Sequence, residues 1–285
     1  MAWPSSALLR LRLPVRRVVM SAARGSRTGA SRTVVSRTVF SKFAGCVLAM
    51  LCAGAAPAPA HLHLHAAPTV EDSMAQRVLA CTGCHGARGR AASDGYYPRI
   101  AGKPAGYLFQ QLRAFRDGRR SYGPMTALLA PLNDAYLREV AEHFASLDLP
   151  YPPPQPATAS VDALTRGEAL VTHGDASLRV PACVQCHGAA LMGVVPGIPA
   201  LIGLPRDYLN AQLGAWRTGQ RHAAAPDCMA QVAQALAPAD ISALSQWLGA
   251  QAVPRGAKPA AVLPAALPMP CGAMADTAQP SARKP

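Results

Sequence analysis

Residues 81–85 read Cys-Thr-Gly-Cys-His, and residues 183–187 read Cys-Val-Gln-Cys-His. Two thiols three positions apart lie on one side of a helical turn, where they can add to the two vinyl groups of one porphyrin. The next residue then offers an imidazole to the iron. C-x-x-C-H is for that reason the attachment pattern of covalently bound haem c. A single copy also suits zinc or a thioredoxin-like redox pair. Two copies, each followed by matched downstream sequence, select haem. Cys81, Cys84, Cys183 and Cys186 are the candidate thioether donors, and His85 and His187 the candidate iron ligands.

The downstream match also points to the sixth iron ligand. Pro199–Gly203 answers Pro98–Gly102, and residues 205–219 answer 104–118 at a constant offset of 101. Within that stretch Tyr107, Leu108, Gln111, Leu112, Ala114, Phe115 and Arg116 correspond to Tyr208, Leu209, Gln212, Leu213, Ala215, Trp216 and Arg217. The following loop is longer by three in the second copy, so Met229 answers Met125. Both methionines are expected in the loop between a middle and a closing helix. A thioether is a soft ligand for reduced iron, and His/Met ligation raises the reduction potential. The plainer reading of each is a core methionine. Met192 lies only five residues past His187, too close to reach the opposite haem face. His222 precedes Met229 by seven residues and would give bis-His ligation, but it has no counterpart in the first copy. His143 and His173 fall on helices as surface or packing residues.

These residues need elements to hold them. A helix over 71–80 would deliver the chain into Cys81. A second runs over 104–118, with proline at its start and glycine just past its end. Leu108, Leu112 and Phe115 form its buried stripe, read as core rather than as site. A third starts at Asn133, a suitable N-cap, and reaches Leu147. Residues 149–160 form a proline-rich, extended linker. The second copy brings helices over 161–173, 205–219 and 238–250, the last with Ile241, Leu244 and Leu248 on its core face. The fold class expected is all-α, with two tandem haem domains at 61–148 and 161–253. The Ala/Pro-rich tail from 254 to 285 is expected to be unstructured except at Cys271.

The net charge of +13 suggests nucleic acid, but its distribution excludes that. Residues 1–42 hold nine Arg or Lys and no acid, leaving 19 basic against 15 acidic residues in the remainder. The apolar run 43–56 follows, then Ala58-Pro59-Ala60, which offers a small-residue cleavage site. Residues 1–60 are read as a removed export signal and the mature protein as periplasmic, with peripheral membrane association left open. His61-Leu-His-Leu-His65 alternates like a metal-binding tract, although a loose mature N-terminus is the simpler reading. Once the signal and the haem motifs have taken six of the eight cysteines, Cys228 and Cys271 remain. In an oxidising compartment an even remainder points to a disulfide between them, with two free thiols as the alternative.

The paired C-x-x-C-H motifs, Pro98–Gly102, Tyr107-Leu-x-x-Gln111-Leu-x-Ala-Phe115-Arg-x-Gly118 and Met125, with the same order again in the second half, resemble the di-haem class I cytochromes c of the cytochrome c4 family over about residues 71–250. The resemblance implies two small all-α haem domains related by a pseudo-two-fold axis, with the haem propionate edges facing one another. It further implies that Arg116 and Arg217, or Arg119, lie near propionates. The long N-terminus, Cys228 beside Met229 and the long tail depart from the pattern. The function implied is one-electron transfer between respiratory-chain donors and a terminal oxidase or other acceptor. Two further readings stay open: the electron-accepting subunit of a periplasmic dehydrogenase, and a di-haem enzyme acting on a small inorganic substrate through a ligand switch beside Cys228.

Overall fold

A computed structural model of the chain describes residues 71–91, 95–263 and 265–275, all within one compact unit. The expected export signal, the His61–His65 tract and the end of the tail lie outside the described residues. Among the described residues the chain forms helices and isolated β-bridges and no strand. No described helix is long and apolar enough to cross a membrane.

The first lobe holds α1 (Met74–Arg77), α2 (Leu79–His85), α3 (Ala105–Arg116), α4 (Gly123–Leu129) and α5 (Asp134–Ser146). The single helix expected over 71–80 is two short pieces. Val78, at φ −96° and ψ 7°, leaves the helical basin between them and buries its side chain in the first core. Asn133 caps α5 as the sequence suggests, accepting from the Tyr136 amide at 2.9 Å. Leu108, Phe109 and Phe115 of α3 pack with Leu137, Val140, Ala141 and Phe144 of α5 to form the core.

The second lobe repeats this with α6 (Val161–Thr172), α7 (Cys183–His187), α8 (Arg206–Arg217), α9 (Cys228–Ala235) and α10 (Pro238–Gly249). Here the leading helix is whole, and it crosses α10 at backbone contact. A Cβ on Gly167 would stand 2.4 Å from the Ala243 carbonyl oxygen, so only glycine fits the crossing. Leu170, Val171, Leu209, Leu213, Trp216, Ile241, Leu244 and Leu248 fill the core.

Two expectations are corrected. The segments after α3 and α8, read as loops, contain α4 and α9, so both candidate methionines lie in the first turn of a short helix. For α9 the start signal is Asp227, whose carboxylate accepts from the Ala230 amide at 3.0 Å. The tail is also seated rather than unstructured over its described part. Ala260 exchanges backbone hydrogen bonds with Gly193 and Val195, each at 2.9 Å, and Lys258 pairs with Asp148 at 2.6 Å. Cys271 is joined to Cys228 in a disulfide, with their Cα atoms 5.0 Å apart. Gly272 then donates to the Pro226 carbonyl at 2.9 Å and opens a short helix, α11 (Gly272–Ala275). Hydrophobic periodicity is absent from the tail; backbone pairing and the bridge hold it instead. The stretch 149–160 has no helix and is likewise held: Arg99 donates to the Leu149 and Pro150 carbonyls, and the Gln155 amide to the Gly249 carbonyl.

Candidate haem sites

Each histidine closes its helix and is buried beneath a loop that folds back over it. In the first lobe the Ala91 amide donates to the His85 carbonyl at 2.8 Å, and the Ile100 amide to the Gly89 carbonyl at 2.9 Å. Those bonds bring the Pro98 carbonyl to 2.8 Å from His85 Nδ1. The second lobe repeats the construction. Gly193 donates to the His187 carbonyl at 2.9 Å, Leu201 to the Leu191 carbonyl at 2.8 Å, and the Pro199 carbonyl stands 2.8 Å from His187 Nδ1. A carbonyl only accepts, so Nδ1 must carry the proton and Nε2 keeps its lone pair. Burial pushes the pKa of both imidazoles down, which favours that neutral tautomer. A neutral imidazole with Nδ1 bonded and Nε2 available is the arrangement of an iron ligand.

The motif thiols do not resemble a redox pair. Cys81, Cys84, Cys183 and Cys186 are unbridged. Burial pushes the Cys183 thiol up to about 12 and raises Cys81 and Cys186 as well. Reactive cysteines need the opposite, a lowered pKa and a stabilised thiolate.

In the second lobe Cys183, Cys186, His187 and Met229 wall one cleft, with Leu209, Leu213 and Trp216 among its apolar lining. About 1570 Å³ of space free of atoms lies within it and its open mouth. Leu209, Leu213 and Trp216 of α8 answer Leu108, Leu112 and Phe115, the stripe read from the sequence as core, and here they also form a wall of the site. The Trp216 indole Nε1, buried in that lining, has no hydrogen-bond partner. An indole nitrogen only donates, so this orphan donor fits a group that brings its own acceptor. A large apolar cleft holding two thiols, a lone-pair imidazole, a thioether and an unanswered donor fits a porphyrin with carboxylate substituents.

Met125 and Met229 are half-buried and pack against the first and second cores. Arg116 and Arg217, expected near propionates, are committed elsewhere. Arg116 donates to the Leu132 carbonyl at 3.1 Å and pairs with Asp134 at 2.7 Å; Arg217 donates to the Leu236 carbonyl. Both hold the chain just after the methionine-bearing helices, and Arg119 pairs with Asp117 at 3.6 Å. Met192 is buried in the second core, and His222 is exposed with its backbone amide donating to the Arg119 carbonyl. Cys228, tied to Cys271, is no free thiol for a ligand switch.

Sequence reasoning missed the arginines at the junction of the lobes. Arg120 donates to Gln111 of its own lobe at 2.9 Å and to Gln212 and Tyr208 of the other. Arg221 donates to Gln212 of its own lobe at 2.9 Å, and to Gln111 and Tyr107 of the first at 2.8 and 3.4 Å. Each guanidinium also lies over an aromatic ring of its own lobe, Arg120 over Phe115 at 4.4 Å and Arg221 over Trp216 at 3.8 Å. The Ser121 amide donates to the Gln220 carbonyl, and the His222 amide to the Arg119 carbonyl. Every pair in this set maps onto its partner at the same offset of 101 found in the sequence, so the junction is two-fold in its chemistry. The offset itself was the available signal, because it aligns Arg120 with Arg221.

No family model matches the chain. It is 37% identical over 187 residues to a thiosulfate dehydrogenase electron acceptor from Thiomonas intermedia, covering 65% of this chain and 85% of that protein. It is 32% identical over 186 residues to a cytochrome c4 from Pseudomonas aeruginosa, covering 65% and 89%. Among solved structures, reduced cytochrome c4 from Pseudomonas stutzeri superposes with a TM-score of 0.53 at 30% identity, covering 61% of this chain and 95% of that one.

Proposed function

Since the chain belongs to the cytochrome c4 family of di-haem electron carriers, we propose that it takes electrons singly from a dehydrogenase that oxidises thiosulfate or a related reduced sulfur anion. It carries two covalently bound haem c groups. Cys81 and Cys84 hold the first through thioethers, and Cys183 and Cys186 the second. His85 and Met125 would hold the first iron, and His187 and Met229 the second. The carrier works in the periplasm and passes its electrons to a terminal oxidase or another respiratory acceptor.

Each haem supplies a one-electron couple when bound; the protein supplies its ligands, its orientation and its surroundings. The Pro98 and Pro199 carbonyls orient the imidazoles and raise their basicity, an outer-sphere role typical of ligating histidine. The methionine thioethers favour the reduced state. With a histidine and a methionine both held to it, each iron would have no place for a substrate. The apolar lining of the cleft would keep water from a bound haem.

The observation that carries the donor assignment is the likeness to thiosulfate dehydrogenase electron acceptors, at 37% identity over most of their length. The direct test mixes the oxidised holoprotein with a purified thiosulfate dehydrogenase and thiosulfate, and follows the haem absorption. Reduction at a rate comparable to turnover supports the reading. No reduction, in protein that a respiratory quinol-oxidising complex reduces readily, favours a general respiratory carrier instead.

A further inference from the structure

Lys103 is the first-lobe residue before Pro104 and the start of α3. It is 7% exposed, and no hydrogen bond or ion pair with a described residue reaches it. Its ammonium lies 6.0 Å from the centre of the Tyr107 ring. The charged groups around it are Arg99, Arg120 and Arg221, all cationic, and burial beside them pushes its pKa down to about 8. Burying an unpaired ammonium is unfavourable by several kcal/mol unless an anion answers it.

The described carboxylate that shares a cavity with Lys103, that of Asp148, is paired with Lys258 at 2.6 Å instead. Lys103 lines the second lobe's cleft with His187, Trp216 and Met229, and no described Asp or Glu lines it. The cleft therefore gathers Lys103, Arg221 and the orphan Trp216 donor without a carboxylate. Its expected occupant brings carboxylates of its own.

Arg120 and Arg221 mirror each other across the junction and so act alike on both lobes. Lys103 has no such mirror. Its counterpart at the offset of 101 is Leu204, also 7% exposed and packed in the second core. Trp216 likewise has Phe115 as its counterpart, which has no donor.

We propose that Lys103 reaches from the first lobe into the second lobe's cleft, pairs with a carboxylate of the haem held there, and raises that haem's reduction potential relative to the other. A positive charge beside the ring stabilises the reduced iron, whose net charge is lower by one unit. Lys103 acts on the potential through its charge and touches no substrate. The inference rests on the di-haem reading above.

The test is a redox titration of the full-length holoprotein by NMR, in which the methyl signals of each haem are followed separately. Lys103→Met keeps the length of the side chain and removes the charge, whereas Lys103→Arg keeps the charge. In Lys103→Met the second-lobe potential should fall by more than the first-lobe potential, and Lys103→Arg should restore most of the difference. Equal shifts of both haems, no shift, or a larger shift of the first haem would overturn the proposal. Lys103→Gln repeats the measurement with a neutral polar side chain and must follow Met. If neither neutral variant loads two haems while Arg does, the lysine serves assembly and the proposal fails. Haem content by mass, measured on each sample, separates that result from a failure of the di-haem reading itself.

Discussion

Arg120 and Arg221 face each other across the junction of the lobes with matching partners, whereas Lys103 and Leu204, at equivalent positions a few residues before the same helices, share no chemistry. The first pair shows what a duplicated domain keeps when it must dock on its own copy: loss of either arginine removes a donor from a glutamine and a tyrosine of the other lobe. The second pair shows where the copies are free to diverge. The outer faces diverge too. The second lobe has a full leading helix locked at Gly167 and a tail bridged to the helix of Met229. The first lobe has a broken leading helix and no bridge. One lobe is closed by packing and a covalent tie, and the other is held by surface ion pairs at its N-terminal edge.

The largest effect should come from the methionines. Met125→Ala and Met229→Ala should each abolish the weak near-infrared thioether–iron band of their own haem and lower its potential, leaving the other haem's band in place. Retention of both bands in either variant would break the equivalence of the two lobes at the iron. Next comes the bridge. The cysteines are 43 residues apart, and a loop of that size is worth up to about 4 kcal/mol in the chain-entropy model. Cys271→Ser should therefore lower the denaturation midpoint of the second lobe while the first lobe's haem signals melt as before. Equal loss in both lobes would show that the tail supports the whole molecule.

Smaller effects test the junction and the N-terminal edge. Arg120→Gln and Arg221→Gln should each be destabilising by about 1–3 kcal/mol, since each removes charge-assisted hydrogen bonds across the junction, including the one that the other lobe's tyrosine accepts. The two losses should be similar, and the double variant should depart from additivity, because the residues share Gln111 and Gln212. Arg77, which pairs with Asp72 at 2.6 Å and Glu139 at 2.8 Å on the surface of the first lobe, should matter least. Arg77→Gln should leave the midpoint of urea unfolding almost unchanged, since exposed ion pairs contribute little. A larger loss would mean that the broken leading helix depends on that pair.

Much of this architecture is legible in the sequence because it rests on local chemistry. C-x-x-C-H names its own cofactor, and the offset of 101 aligns the long helices with their caps. The parts that were not legible depend on long-range packing. α4 and α9 are seven and eight residues long, too short for a periodic stripe, and only Pro124 at the start of one and the N-cap Asp227 of the other mark them. The Ala/Pro tail has no pattern that could show its backbone pairing with Gly193 and Val195, although the parity of the cysteines pointed to the pairing of Cys228 and Cys271 that the structure contains. Among a run of arginines, composition does not separate those that hold carbonyls, Arg116 and Arg217, from those at the junction, Arg120 and Arg221. The lobe that supplies their partners makes that distinction, and it is a property of the assembled lobes. The same holds for Lys103, which in the sequence is only the residue before a helix-starting proline.

The central claim is that two closed, six-coordinate haems make this chain a carrier. It is tested most directly by an optical redox titration of the purified full-length protein, with the near-infrared region recorded at each potential. The account predicts two haems per chain, two one-electron steps, and a thioether–iron band from each haem in the oxidised protein. A single haem, or a five-coordinate iron at either site under native conditions, would contradict it.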